Sequence, residues 1–232
     1  MPDSTIDEGE RSRRLLDAQR RAAELFAAVG EAGILQPGVL ESEASEAIRQ
    51  LGAARFGMPD HWHRRIVRSG PNTLRVYSDE PPDRALTDDD IVFADFGPLL
   101  EGWEADFGRT WVLGDDPVKL RLRDDLGALF DAGKRFFQAE PHITPEDLFH
   151  ELARLTAERG WALGNNACGH LVGEFPHQNF DGERLESYIA AGNRYPMRRT
   201  DPSGRVAHWI LEVHLVDQER QIGGFFEELL TL

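Results

Sequence analysis

The sequence predicts a mixed α/β (α+β) domain, and three observations predict it. Helical stretches come first, strand-like segments rich in Val, Ile and Phe follow, and helices and strands then alternate again to the end. No linker rich in Pro, Gly and Ser divides the chain, which argues for one packed unit. The 232 residues include 41% apolar ones, enough for a sizeable core.

Residues 1–10 are polar and acidic and are expected to form a flexible tail, with 11–232 a single domain. Leu15, Ala18, Ala22, Leu25, Phe26 and Val29 recur at helical spacing, so a helix is expected over 11–30, ended by Gly30 and the region of Gly33. A second helix is expected over 40–55, with Glu41 and Ser42 near its start. Residues 63–69 read as a short strand closed by Ser69-Gly70-Pro71-Asn72, and 91–96 and 105–113 as two more. Pro117 opens a helix over 117–139. Thr144-Pro145-Glu146-Asp147 supplies a cap and a first-turn proline for another over 145–159, which Gly160 stops. The last strands are expected at 207–217 and 222–231.

Lys and Arg number 26 against 41 Asp and Glu, a formal net charge of -15. Such a surface repels nucleic acid and anionic membranes, and it leaves small or cationic substrates open. The single cysteine, Cys168, cannot form an intrachain disulfide and reads as a buried structural thiol. No apolar signal core or membrane-length run is present, so the expected location is the cytoplasm.

The chemistry-bearing signal is a set of acids. Asp95 and Asp106 sit in two copies of one phrase, Ala94-Asp95-Phe96-Gly97 and Ala105-Asp106-Phe107-Gly108. A hairpin turning at Leu100-Glu101 would put Asp95 directly opposite Asp106, with Cβ atoms ~5 Å apart. A second hairpin turning at Glu219-Arg220 would set Glu212 opposite Glu227, while Glu228 would face the other way into solvent. Facing carboxylates repel by roughly 3 kcal/mol at ~5 Å and an effective dielectric of ~20. Protonation, a nearby arginine such as Arg109, or bound metal could each offset that cost. Two divalent ions would cancel four carboxylate charges outright.

His170 lies in Gly169-His170-Leu171-Val172-Gly173, and His177 follows in Phe175-Pro176-His177. The glycines and proline disfavour a regular helix, and an extended segment could aim both imidazoles at one cleft. His61 and His63 bracket Trp62 and read as packing residues. His214 shares a strand face with Glu212 and could support it. His150-Glu151 begins like a zinc-protease helix, but Arg154 stands where its second histidine belongs.

Taken in order, these residues resemble the pita-bread metallohydrolases: methionine aminopeptidase, Xaa-Pro peptidase and prolidase, and creatinase. The family pattern is Asp, ten residues, Asp, then Gly-His, Glu and a last-strand Glu. Asp95 and Asp106 match it within DFGPLLEGWEADFGRTW, Gly169-His170 follows, then Glu212 in HWILEVHLVD and Glu227 in GGFFEELLTL. The resemblance covers about residues 63–232. It implies a pita-bread fold, with a curved antiparallel sheet in two pseudo-twofold halves flanked by helices. It implies two divalent metal ions (manganese, cobalt, iron or zinc) bridged by Asp106 and Glu227, with Asp95 on one and His170 and Glu212 on the other. A water held between them would attack the scissile carbonyl, Glu212 would move a proton, and His177 would bind substrate and steady the oxyanion. By the same comparison the chain has no room for an extra N-terminal domain, which is compatible with a homodimer.

Three positions depart from the family. A histidine usual five residues beyond Asn72 is Tyr77, which becomes the candidate substrate contact there; another usual histidine is Asn166; and the usual Glu-Pro is Glu212-Val213. The resemblance implies removal of an N-terminal residue, with one before proline among the candidates. The alternatives are hydrolysis of a small non-peptide amide on the same site, and a non-catalytic module that binds a peptide or protein.

Overall fold

A computed structural model describes residues 6–175, 185–200 and 204–232. Helix α1 spans Glu8–Glu31 and α2 spans Glu41–Leu51, continuing as a π-helical turn over Gly52–Phe56. Strand β1 (Ile66–Ser69) leads to β2 (Ile91–Phe96), two short strands β3 (Leu99–Leu100) and β4 (Trp103–Glu104), and β5 (Phe107–Val112). Helices α3 (Pro117–Ala139) and α4 (Pro145–Glu158) follow. The chain ends with β6 (Ala162–Leu163), β7 (Ala167–Val172), β8 (Tyr188–Ala190), β9 (His208–Asp217) and β10 (Ile222–Leu229).

Helix α1 begins before residue 11, so Glu8–Glu10 of the expected tail are helical. Asp7 caps it by accepting the Glu10 N–H at 2.8 Å. Glu8 then reaches across the chain to the His208 ring at 2.7 Å, tying the helix start to β9. The strand expected over 63–69 begins only at Ile66, and residues 63–65 run outside the ladder.

One antiparallel sheet has the order β1-β2-β5-β10-β9-β7-β8, with β6 paired to β9. The β9–β10 register sets Glu212 opposite Glu227, as a turn at Glu219-Arg220 predicts. The first hairpin differs from expectation. Leu100 pairs with Trp103 and Asp95 with Gly108, not with Asp106. The turn sits at Glu101-Gly102, whose φ values are 50° and 83°. A two-residue primed turn needs positive φ at both positions, and glycine takes the second without strain. Moving the turn centre by one residue moves the pairing by two, so every side chain keeps its face.

That face parity organises the molecule. Val92, Ala94, Phe96 and Phe107 pack with Leu15, Ala22, Leu25 and Phe26 of α1 and Ile48 of α2. Leu211, Val213 and Leu215 pack with Leu122, Leu126 and Leu129 of α3 and Leu148 and Leu152 of α4. Two helix pairs thus cover two halves of one sheet from the same side. The acids, at alternate positions, project to the side the helices leave uncovered. Among the described residues no helix is long and apolar enough to cross a membrane.

Candidate metal and substrate site

Gly108 pairs with Asp95 on β2 and with Glu227 on β10, and Glu227 pairs with Glu212 on β9. Asp95, Glu227 and Glu212 therefore stand on one rung across four adjacent strands, with Gly108 the member that has no side chain. A Cβ at Gly108 would come within 2.4 Å of the Phe225 ring and 3.1 Å of the Glu227 Cβ. Glycine there lets Glu227 and Phe225 close over β5. Asp106 lies two residues before Gly108, just outside β5, and is buried.

Two imidazoles flank Asp106. His170 Nε2 lies 3.1 Å from Oδ2, and His63 Nε2 lies 3.0 Å from Oδ1. His63 Nε2 is also 3.7 Å from Asp95 Oδ1. Each ring is anchored through Nδ1 on the carbonyl of the next residue, at 2.7 Å for His170 to Leu171 and 2.8 Å for His63 to Arg64. His170 reaches the site from β7, whose pairing with β8 is irregular between Ala167 and His170. A bulge of this kind re-aims a side chain.

Two overlapping groups of ligand atoms result, His63 with Asp95 and Asp106, and Asp106 with His170 and Glu227. Within each group the atoms lie inside 4.8 Å of one another. The groups share Asp106. They line a cavity of about 400 Å³ whose walls include Glu212, Trp62, Tyr77, Tyr188, His214 and Phe225.

The electrostatics follow from burial and crowding. Burial pushes Asp95 up to about 7, with Asp106 adding to the rise and His63 opposing it. Burial likewise pushes Glu212 up to about 7. Glu227 is driven well above the usual carboxylate range by burial and then by Asp106, Asp95 and Glu212. Burial would raise Asp106 too, but His63 and His170 outweigh it and hold Asp106 below its usual range. Burial disfavours charge on both imidazoles, yet the carboxylates win and raise His63 and His170 to about 9. A cluster whose members are pushed this far apart is a strong sign of a functional site. Among the described residues, Glu227 Oε2 is buried and has no hydrogen-bond partner.

The structure thus brings Asp95, Asp106, His170, Glu212 and Glu227 to one cleft, with Tyr77 at its wall. His177 lies outside the described residues. Asn166 is exposed, and its neighbour Asn165 lines the cavity instead. Arg109 feels Glu227 electrostatically, but among the described residues it forms its ion pair outside the cleft. It points to the helical side, pairs with Glu228 and is stacked between Phe107 and Phe226. Glu228 is accordingly half-buried and paired rather than solvated. His63 was not expected at the site. The signal that could have found it is Gly97: a Cβ there would lie 2.4 Å from His63 Nε2 and 2.4 Å from Trp62 Nε1. His214 lines the cleft near Glu212 but hydrogen-bonds the Thr73 carbonyl at 2.8 Å, and burial lowers it to about 4. Cys168 is buried, and burial and Glu212 push its thiol well up, away from the reactive thiolate.

The fold is similar to that of solved peptidases. A prolidase from Thermococcus sibiricus superimposes with a TM-score of 0.72 at 20% identity, over 97% of this chain and 56% of that one. An X-Pro aminopeptidase from Thermotoga maritima gives 0.75 at 18% identity, over 98% and 62%. A dipeptidase from Mycobacterium ulcerans gives 0.66 at 24%, over 97% and 56%. The chain therefore spans less than two thirds of the length of each, and at these identities the likeness is one of fold. No curated protein matches the sequence. A family model, metallopeptidase family M24, matches residues 13–204, most of the chain. With that match, and with the antiparallel sheet and its two flanking helix pairs already in place, the chain belongs to metallopeptidase family M24.

Proposed function

We propose that this chain is a hydrolase that works with two divalent metal ions and removes an N-terminal residue by breaking a peptide C–N bond. One observation carries the reading. Four buried or near-buried acids crowd one cleft, and among the described residues Glu227 Oε2 has no partner there although it is out of water. An unpaired buried carboxylate oxygen is costly, and carboxylate oxygens plus imidazole nitrogen form a donor set suited to manganese, cobalt, iron or zinc. The residues present fit such ions. Asp95, Asp106, His170, Glu212 and Glu227 would hold them, Asp106 being the member that both groups of ligand atoms share. When bound, the ions would neutralise the acids and supply a water of lowered pKa together with a Lewis acid for the carbonyl.

The chain's own groups do the rest. Glu212, a carboxylate at the cleft wall, is suited to take up a proton and pass it to the leaving nitrogen. Trp62, Tyr77, Tyr188 and Phe225 wall the cleft, holding the substrate and keeping bulk water from the reacting bond. His177 is assigned the role of steadying the oxyanion from the segment beyond Phe175. A second reading has its own support: Tyr77 puts a phenol ring rather than an imidazole at the cleft wall, which suits a small non-peptide amide.

A panel of dipeptides, Xaa-Pro peptides, longer peptides and small amides, offered to protein loaded with manganese, cobalt or zinc, tests the reading. Release of a free N-terminal amino acid, abolished by a chelator, is the expected result. Turnover confined to non-peptide amides would shift the conclusion to the second reading, and no turnover in any arm would overturn both.

A further inference from the structure

We propose that His63 is a nitrogen ligand to the ion held by Asp95 and Asp106, so that each ion of the pair carries one imidazole. The inference rests on the dinuclear reading above and adds to it a ligand from a part of the chain that supplies none of the other five.

The geometry of His63 repeats that of His170. A carbonyl oxygen cannot donate, so the 2.8 Å contact between His63 Nδ1 and the Arg64 carbonyl fixes the proton on Nδ1. The same reasoning fixes it on His170 Nδ1, 2.7 Å from the Leu171 carbonyl. An imidazole held this way through Nδ1 presents Nε2 as a metal ligand in its neutral form. In both rings Nε2 is aimed at Asp106, one at each carboxylate oxygen, at 3.0 Å for His63 and 3.1 Å for His170. In the ion-free protein a second proton on Nε2 makes this contact favourable, and a bound cation would take that proton's place between the same atoms. Asp106 thus has an equivalent imidazole on either side, and Asp95 Oδ1 stands 3.7 Å from His63 Nε2 to complete its group.

The surroundings are built to keep the ring there. Trp62 donates its indole N–H to the Ala105 carbonyl at 2.9 Å, next to Asp106. Its ring meets His63 edge-on at 4.5 Å between centroids and His170 at 5.7 Å, and so wedges both imidazoles. The Trp62 N–H is bonded to the Gly97 carbonyl at 2.9 Å, which fastens the segment to the end of β2. Gly97 leaves the space the ring occupies, since a Cβ would fall 2.1 Å from His63 Cδ2. The Tyr77 hydroxyl accepts the Arg64 N–H at 3.0 Å and its ring lies 5.8 Å from His63. Tyr77 therefore steadies the loop that delivers His63.

A nitrogen in place of an oxygen also sets a metal preference. Imidazole favours zinc, cobalt and iron over manganese, which prefers all-oxygen surroundings. With His63 in place, the Asp95–Asp106 position should prefer zinc or cobalt.

The test uses the full chain loaded with cobalt(II) and read by proton NMR, where a ligating imidazole shows its Nδ1–H as an exchangeable, strongly shifted signal. Wild type should show two such signals, and His63→Gln and His170→Gln should each lose a different one. Calorimetric titration of His63→Gln should weaken one of two zinc-binding events by at least about 100-fold, and manganese less. A single shifted signal in a wild type that binds two ions, unchanged in His63→Gln, would overturn this inference and leave the dinuclear reading standing. A wild type that takes up no ion would overturn both. Should His63→Gln not fold, the signal count in wild type decides the question by itself.

Discussion

Glu227 and Glu228 are neighbours on one strand with opposite circumstances. Glu228 faces the helical side and pairs with Arg109, whose guanidinium lies 3.9 Å from the Phe107 ring centroid and 3.8 Å from that of Phe226. Glu227 faces the cleft, is almost fully buried and keeps an oxygen without a partner among acids. The first arrangement is closed: the chain supplies its own cation and clamps it between aromatic rings. The second is open, because the local cations are two imidazoles shared among four acids. Folding alone completes one side of the sheet, and in the proposed function bound ions complete the other. The difference separates an acid whose counter-charge the chain supplies from a cluster left as a candidate site for bound cations.

The comparison can be broken most directly at Asp106, which both groups of ligand atoms share. Asp106→Asn should lower kcat/KM by at least about 10³-fold, equal to about 4 kcal/mol of barrier. Glu228→Gln, on the far face, should change it by less than about 2-fold, because its partner Arg109 hydrogen-bonds Glu227 at the backbone carbonyl and not at the carboxylate. Steady-state kinetics on the best peptide substrate would show whether the two faces are as separate as the geometry implies.

Metal removal comes next in size. An ion at 100 times its dissociation constant stabilises by about 2.7 kcal/mol, so chelation should lower Tm. The metal-stripped protein should also respond to pH in a particular direction. Asp95 and Glu212 are raised to about 7 and His63 and His170 to about 9 in the folded state. All four bind protons more tightly folded than unfolded. Their contribution is complete at low pH, below the ordinary carboxylate pKa for Asp95 and Glu212 and below the ordinary imidazole pKa for the histidines. It is lost as pH climbs through 7 and then 9. Stripped protein should therefore lose stability from about pH 4.5 to 9. Loaded protein should gain stability over the lower part of that span, because protons compete with metal for the same atoms. Melting curves with and without chelator at matched pH values would test both slopes.

Arg109→Ala should give the smallest effect. It removes the stacking on two rings and strands Glu228, and should cost about 1–2 kcal/mol while leaving metal uptake intact. A calorimetric scan paired with a metal titration would detect any leakage between the faces.

Much of this was legible before any coordinates, and the exceptions have physical causes. The β9–β10 pairing could be read because alternate positions of His208–Asp217 are apolar and a one-residue slip would expose them all. Asp95 and Asp106 could be put on one face but not in register, because Glu101-Gly102 rather than Leu100-Glu101 forms the turn. The glycine at its second position was the available clue. Parity also assigns Arg109 to the helical side, opposite Asp106 and Gly108, and an account attentive to it would not have offered Arg109 as a counter-charge. His63 was hidden for a different reason. It sits in a segment without regular structure, and its bond to Asp106 depends on a tertiary contact through Trp62 and Gly97 that no periodicity announces.

The central claim is that an external pair of cations completes the acidic rung. Equilibrium dialysis of the wild-type chain against cobalt, manganese or zinc, followed by elemental analysis, tests it most directly. Wild type should hold about two ions per chain at saturation, with a clear shortfall for Asp106→Asn, which lacks the carboxylate both ligand groups share. Saturated wild-type protein that retains no more metal than Asp106→Asn would contradict it.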